Sequence, residues 1–201
     1  MNAKTEQKER SHETILASAA RLLREKGVLG ARVLDVMKGA GLTAGGFYAH
    51  FSSKDELIDQ TIRRTFAELR HKLYAGLDDK PAQDRAEVVL KRYLSAKHRD
   101  AQTLGCPLPA IVGEIAGSER AHRDVLAEQV DGFARDLMTH TLLDDASGSR
   151  QLAIGMVALM YGGLSLSRAL AGSELSDEVL RACRAVGRAA IAQLSKRGTQ
   201  S

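Results

Sequence analysis

Apolar residues recur along this chain at three- and four-residue spacing, and alternating β-type runs are nearly absent. From Ser11, the positions Ile15, Ala19, Leu22 and Leu23 form one helical stripe, which Gly27 and Gly30 end near Lys26. A short helix follows with Val33, Val36 and Met37 on one face, stopping at Gly39 or Gly41. Gly41-Leu42-Thr43 then turns the chain, and Thr43 is a natural N-cap for a third helix carrying Phe47 and Phe51. Ser52 or Ser53 caps the next, where Asp55 and Glu56 complement the helix dipole and Leu57, Ile58, Ile62, Phe66, Leu69 and Leu73 make the apolar face. Further helices are predicted over Ala82–Arg99, Leu104–Gly117, Glu119–Leu143, Gln151–Ala171 and Ser176–Ser195, with a turn at 144–149. The expected fold is all-α, with about nine helices and no strands.

Composition supports this reading. Ala, Leu and Arg are the commonest residues, and only 3 prolines occur in 201 residues. The net charge of +4 is compatible with a polyanionic partner without requiring one. Cys106 and Cys183 are far apart and lack CxxC spacing, and the opening MNAKTEQKER is too polar for a secretory leader. Together these predict a reducing, cytoplasmic setting with no metal and no cofactor. The apolar run from Leu152 to Ser167 is bounded by Arg150 and Arg168, shorter than a spanning helix, and interrupted by Gly155, Gly162 and Gly163. It reads as a buried or subunit-interface helix, with no membrane partner.

The chemistry concentrates in GLTAGGFYAHF, residues 41–51. On a wheel of 100° per residue, Phe47 and Phe51 share one side with Ala44 nearby, and Gly45, Gly46 and Ala49 lie opposite. The solvent side is therefore almost bare, which lets backbone come close to a partner. Helix, glycine-containing turn and short second helix is the arrangement that sets a helix into the major groove of duplex DNA. The segment Ile15 to Ile62 resembles the DNA-binding domain of the tetracycline-repressor (TetR/AcrR-type) family. The resemblance rests on Ala19-Ala20, Gly27, the Val33–Val36 helix, Ala40-Gly41-Leu42-Thr43, Phe47-Tyr48, His50-Phe51 and Ser53-Lys54-Asp55-Glu56-Leu57. Arg32 stands where the family more often has Thr.

On this reading the DNA-binding residues are Arg32, Thr43, Ala44, Gly45, Gly46, Tyr48, His50 and Lys54. Thr43, Tyr48, His50 and Lys54 suit phosphate oxygens, contacts that set register without carrying sequence information. Residues 1–10 form a flexible charged arm, 11–58 the DNA-binding domain, 59–196 an effector-binding and dimerisation domain, and 197–201 a tail.

The resemblance implies a regulator rather than an enzyme: most simply a repressor that binds a palindromic operator as a homodimer and is released by a small-molecule effector. Tyr74, Tyr93, Leu104, Cys106, Ile111, Phe133, Met138, Met156, Met160 and Tyr161 are the candidate pocket residues. The last two helices are the dimer candidates. Cys106, just before Pro107, is expected at a helix N-cap, where the dipole lowers a thiol pKa. It supplies an alternative, oxidant or electrophile sensing, and a weaker one, an enzyme pairing Cys106 with His98 or His122. No orienting Asp or Asn supports that pair. Cys183, with Val179 and Val186, reads as packing on the last helix.

Overall fold

In the computed structural model, residues 3–118, 120–141 and 148–198 are described. Among them are nine α-helices, one 3-10 helix and no strand. The elements are α1 (Ala3–Gly30), α2 (Val33–Gly39), a 3-10 helix (Ala44–Ala49), α3 (Lys54–Tyr74), α4 (Ala82–Tyr93), α5 (Ala96–Asp100), α6 (Leu108–Gly117), α7 (Arg123–Thr141), α8 (Gly148–Ala169) and α9 (Glu174–Gly198).

The all-α expectation holds, with four local corrections. Residues 3–10, expected as a flexible arm, are the first turns of α1. Their Ala, Lys, Gln and Glu favour helix without any apolar stripe. The helix expected over Ala82–Arg99 is two helices. Leu94 leaves helical geometry, and the Ser95 hydroxyl accepts the His98 N–H and caps α5. The helix over 44–49 is 3-10 rather than α. Pro107 occupies the N-cap of α6, so Cys106 precedes the cap instead of forming it. The turn expected over 144–149 and the tail after Gly198 fall largely outside the described residues.

The chain divides into two compact units, and the division differs from the expected boundary near residue 58. The first comprises residues 1–68 and 102–127, and the second residues 69–101 and 128–201. In the first unit, the stripe of α1 buries Ile15, Ala19, Leu22 and Leu23 with Val36 and Met37 of α2, Phe47, Phe51, and Leu57, Ile58 and Ile62 of α3. Burial of one such side chain is worth about 1.5–3 kcal/mol. The Ser18 hydroxyl donates to the Val36 carbonyl at 2.9 Å and ties α1 to α2. Buried Arg24 donates to the Gly105 carbonyl at 2.9 Å and to Glu68 at 2.7 Å. Its partners satisfy a charge that burial would otherwise penalise heavily. Ile111 and Ile115 of α6 are also core residues of this unit.

In the second unit, α8 packs along α9, and α4 lies against both. Arg92 caps the end of α3 by donating to the carbonyls of Leu73 at 2.6 Å and Ala75 at 2.9 Å. Arg168 does the same for α5, donating to the carbonyls of His98 and Arg99 at 3.2 Å each. His98 turns Nδ1 to the Tyr93 carbonyl at 2.7 Å. Burial first, then Arg168 and Lys72, depress its pKa to about 4 despite that hydrogen bond.

The apolar run from Leu152 to Ser167 is the middle of α8, and α8 is longer than the run. Ser149–Ala169 is long and apolar enough to cross a membrane, as the core helix of a globular protein can also be. Ala153, Met156, Val157, Met160 and Leu164 of α8 are buried in the unit, and Ile154 and Leu166 are exposed. Cys183 is half-buried beside Gly163, whereas Val186, expected to pack with it, is 58% exposed.

Candidate nucleic-acid interface

The interface is assembled by one tight turn. Gly41 adopts φ +70°, in the left-handed region that glycine enters without cost, and ends α2. The Leu42 N–H returns to the Met37 carbonyl at 2.9 Å. Thr43 is the N-cap of the 3-10 helix, but its hydroxyl makes no capping hydrogen bond. Thr43 itself is exposed. Only two residues beyond the helix, Phe51 closes the turn by donating its N–H to Phe47 at 3.1 Å.

Phe47 and Phe51 anchor the helix. They are 1% and 2% exposed, and their stacked rings lie 5.6 Å apart. His12 of α1 stacks on the other side of Phe51 at 4.6 Å and meets Gln60 of α3 at 3.1 Å through Nε2. Gln60 donates its amide to Glu56 at 3.0 Å, so its oxygen is left to accept, and His12 carries hydrogen on Nε2. Sequence reasoning missed His12, because its partners are dozens of residues away and its own neighbourhood carries no signal.

The opposite face is open, as the wheel predicted. Gly45 has nothing within 4 Å of where a Cβ would stand, and Gly46 has only the Met37 methyl at 3.8 Å. Tyr48 is 77% exposed, its ring edge-on to Phe47 at 5.2 Å. Thr43, Ala44, Gly45 and Ala49 are exposed with it. Ala44, expected on the Phe47/Phe51 side, is thus corrected to the open surface. It opens a helix of only two turns at three residues per turn, so no preceding turn covers it.

The flanks differ in character. Lys54 begins α3 and is half-buried. Beside it the Ser53 hydroxyl accepts the Glu56 N–H at 3.1 Å, and Glu56 accepts the Ser52 N–H and hydroxyl at 2.6 Å each. Those bonds hold the Glu56 carboxyl below its ordinary pKa. His50 is half-buried with Nδ1 enclosed and unpartnered among the described residues. Burial first, then His12 and Lys8, lower its pKa. It therefore presents a neutral imidazole at neutral pH. Arg32 is the N-cap of α2 and exposed, but its Nε is already paired with Asp35 at 2.7 Å.

The expected pocket residues do not form one group. Leu104, Cys106 and Ile111 belong to the first unit; Leu104 is 62% exposed, and Cys106 and Ile111 are buried. In the second unit, a small apolar cavity is lined by Ala86, Val89, Leu90, Leu137, Met156, Met160 and Ile191. Of the expected set only Met156 and Met160 line it. Tyr93 and Phe133 are fully buried, their rings 6.1 Å apart, and Met138 and Tyr161 are half-buried. Tyr74 packs its ring on His140 at 4.9 Å, and burial pushes its hydroxyl pKa upward. Val89, Leu90 and Leu137 gave no sign in the sequence, since a cavity wall and a core stripe have the same spacing. His122 has both ring nitrogens at carboxylates of α3, Nδ1 to Asp59 at 2.6 Å and Nε2 to Asp55 at 3.7 Å.

Residues 15–61 match the description "bacterial regulatory proteins, tetR family". Over 49 residues the chain is 39% identical to the HTH-type transcriptional repressor KstR2 of Mycobacterium tuberculosis, a match covering 24% of this chain and 24% of that protein. It is 34% identical over 71 residues to the uncharacterized HTH-type transcriptional regulator YvdT of Bacillus subtilis, covering 33% and 37% of the two chains. The matched stretches thus span from about a quarter to over a third of these relatives' length. In fold the chain is similar to a TetR transcriptional regulator from Chloroflexus aurantiacus, with TM-score 0.75, 22% identity, and 94% and 97% of the two chains covered. It is also similar to the reduced form of E. coli NemR, with TM-score 0.73, 20% identity, and 88% and 94% covered. The glycine-faced 3-10 helix, set on α1 and α2, lies within the segment, residues 15–61, that matches the tetR family of bacterial regulatory proteins.

Proposed function

We propose that this chain is a transcriptional regulator that binds a palindromic operator as a homodimer, acts as a repressor, and is released by a small-molecule effector. One observation carries the reading. The helix over 44–49 buries Phe47 and turns outward a face with no side chain at Gly45 and Gly46 and an exposed Tyr48. A helix enters the major groove only as deep as its side chains allow, and this one is nearly bare. Tyr48, Thr43, Lys54 and the neutral His50 act as phosphate donors along its flanks. Arg32 contributes less, because Asp35 already holds its guanidinium.

The dimer is supported by the outer surface of α8 and α9. Ile154 and Leu166 on α8 and Leu175 and Val186 on α9 are exposed, and Gly155 and Gly162 have open space beside them. A second copy seated there buries apolar surface and repeats the recognition helix, giving an operator of two related half-sites. The effector is expected in the second unit, near Met156 and Met160, whose flexible side chains adapt to irregular shapes. The KstR2 relative is a transcriptional repressor. Cys106 is 1% exposed, so oxidant sensing through it requires the thiol to be uncovered first, and effector release stands ahead of that alternative.

Recovery of genomic fragments bound by the purified protein tests the reading. It predicts a palindromic consensus and a dimer by light scattering at micromolar concentration. Fragments without a shared sequence, or a monomer at that concentration, would contradict it.

A further inference from the structure

α1 does not reach α2 unaided. Gly27 leaves helical geometry at φ +70° and ψ −168°, so Val28–Gly30 is a separate final turn. The first amides of a helical turn have no carbonyl partner in their own helix. Here the partner comes from α6. Oε2 of Glu114 accepts the Val28 N–H at 2.5 Å and the Leu29 N–H at 3.1 Å. The approach is so close that a Cβ at Gly27 would collide with the same carboxyl group. Position 27 is therefore glycine twice over, for its φ and for the room that Glu114 occupies. The turn runs through fully buried Ala31 to Arg32, the N-cap of α2. At the other end of α6, Arg24 of α1 holds the carbonyl of Gly105. Past its C-terminus, His122 sits at φ +65°, a strained value for a non-glycine residue, with its ring held at Asp59 of α3.

We propose that Glu114 is a positioning residue for DNA binding: its carboxyl group caps the last turn of α1 from outside, so the position of α6 fixes the path of the chain into α2 and the 3-10 helix. The proposal rests on the DNA-binding reading above and adds its regulation. Coupling of this kind is reciprocal. Anything that withdraws α6 uncaps Val28 and Leu29 and loosens the start of α2. Equally, DNA held by the 3-10 helix must steady α6.

Hydrogen exchange of the full chain tests this, with a duplex selected by the wild-type protein from random oligonucleotides as the probe. In the wild type, DNA is expected to slow exchange over 43–49, over Val28–Gly30 and over 108–117. In Glu114→Ala the protection of 43–49 persists, the response over 108–117 disappears, and affinity falls about tenfold, within the usual range of coupling between sites. Glu114→Gln, which retains one acceptor oxygen, falls between the two. The proposal is overturned if the wild type protects 43–49 without any change over 108–117. It is equally overturned if Glu114→Ala keeps the wild-type response and affinity. Should Glu114→Ala fail to fold, a Glu114→Gln protein identical to wild type in both readouts overturns it alone. Absence of protection over 43–49 in the wild type would instead remove the DNA-binding reading itself.

Discussion

The dipeptide Gly-Gly occurs at 45–46 and again at 162–163, each time inside a helix, and the two serve opposite ends. A Cβ on Gly163 would stand 2.8 Å from Cys183 Sγ and 2.9 Å from a methyl of Leu94. That glycine exists so that α8, α9 and the end of α4 can close on one another. A Cβ on Gly45 would meet nothing. Each glycine costs its helix about 1 kcal/mol relative to Ala. At 163 the packing it permits offsets that cost within the folded chain. At 45 no described residue lies close enough to offset it, which is why the proposed DNA contact is placed there. Inner substitutions should then damage stability and spare DNA binding, and outer ones should do the reverse.

The largest inner effect involves His98. Its folded pKa of about 4 lies below the ordinary 6.5, so between these values the unfolded chain binds a proton that the folded chain refuses. Stability is therefore full above about pH 6.5 and falls as the pH drops toward 4, by about 3 kcal/mol in all. His98→Gln should remove most of this acid loss in denaturant titrations across that range, leaving affinity for DNA at neutral pH unchanged.

Gly163→Val comes next. Overpacking against Cys183 and Leu94 should cost about 1–3 kcal/mol, read as a fall in Tm of several degrees. The comparison breaks if this variant loses operator affinity without losing stability.

On the outside, Lys54→Ala should leave Tm in place and weaken binding across all sequences, lowering the slope of log affinity against log salt by about 0.9. Tyr48→Phe should do the least: a few-fold uniform loss, with no change in base preference and none in the salt slope. A changed base preference would mean that the Tyr48 hydroxyl reads bases rather than phosphates.

The same contrast explains what the sequence made legible. The stripes of α1 and α3, the turn at Gly41 and the Phe47/Phe51 anchor are set by spacing within a few residues, and the structure has them where the spacing put them. The bare face at Gly45 and Gly46 was legible too, because a missing side chain is visible in the sequence itself. Geometry set by competition between nearby bonds was not. The 3-10 winding over 44–49 and the break at Ser95 are set by local backbone and cap hydrogen bonds that the apolar spacing does not encode. Partners distant along the chain left no trace at all: Glu114 reaches Val28 and His122 reaches Asp59 across dozens of residues. The cavity wall failed for another reason, since Val89, Leu90 and Leu137 repeat at the interval of any core stripe.

The most direct test of the account is the affinity of Gly45→Leu for the duplex selected by the wild type, measured beside its Tm. The space around Gly45 is empty, so the folded chain should accept the side chain with Tm unchanged or slightly raised. Binding should fall by about 100-fold or more, since the added side chain holds the helix out of the groove and its flanks away from the phosphates. A Gly45→Leu protein that binds this duplex as tightly as the wild type would contradict the claim that the bare face of the 3-10 helix meets DNA.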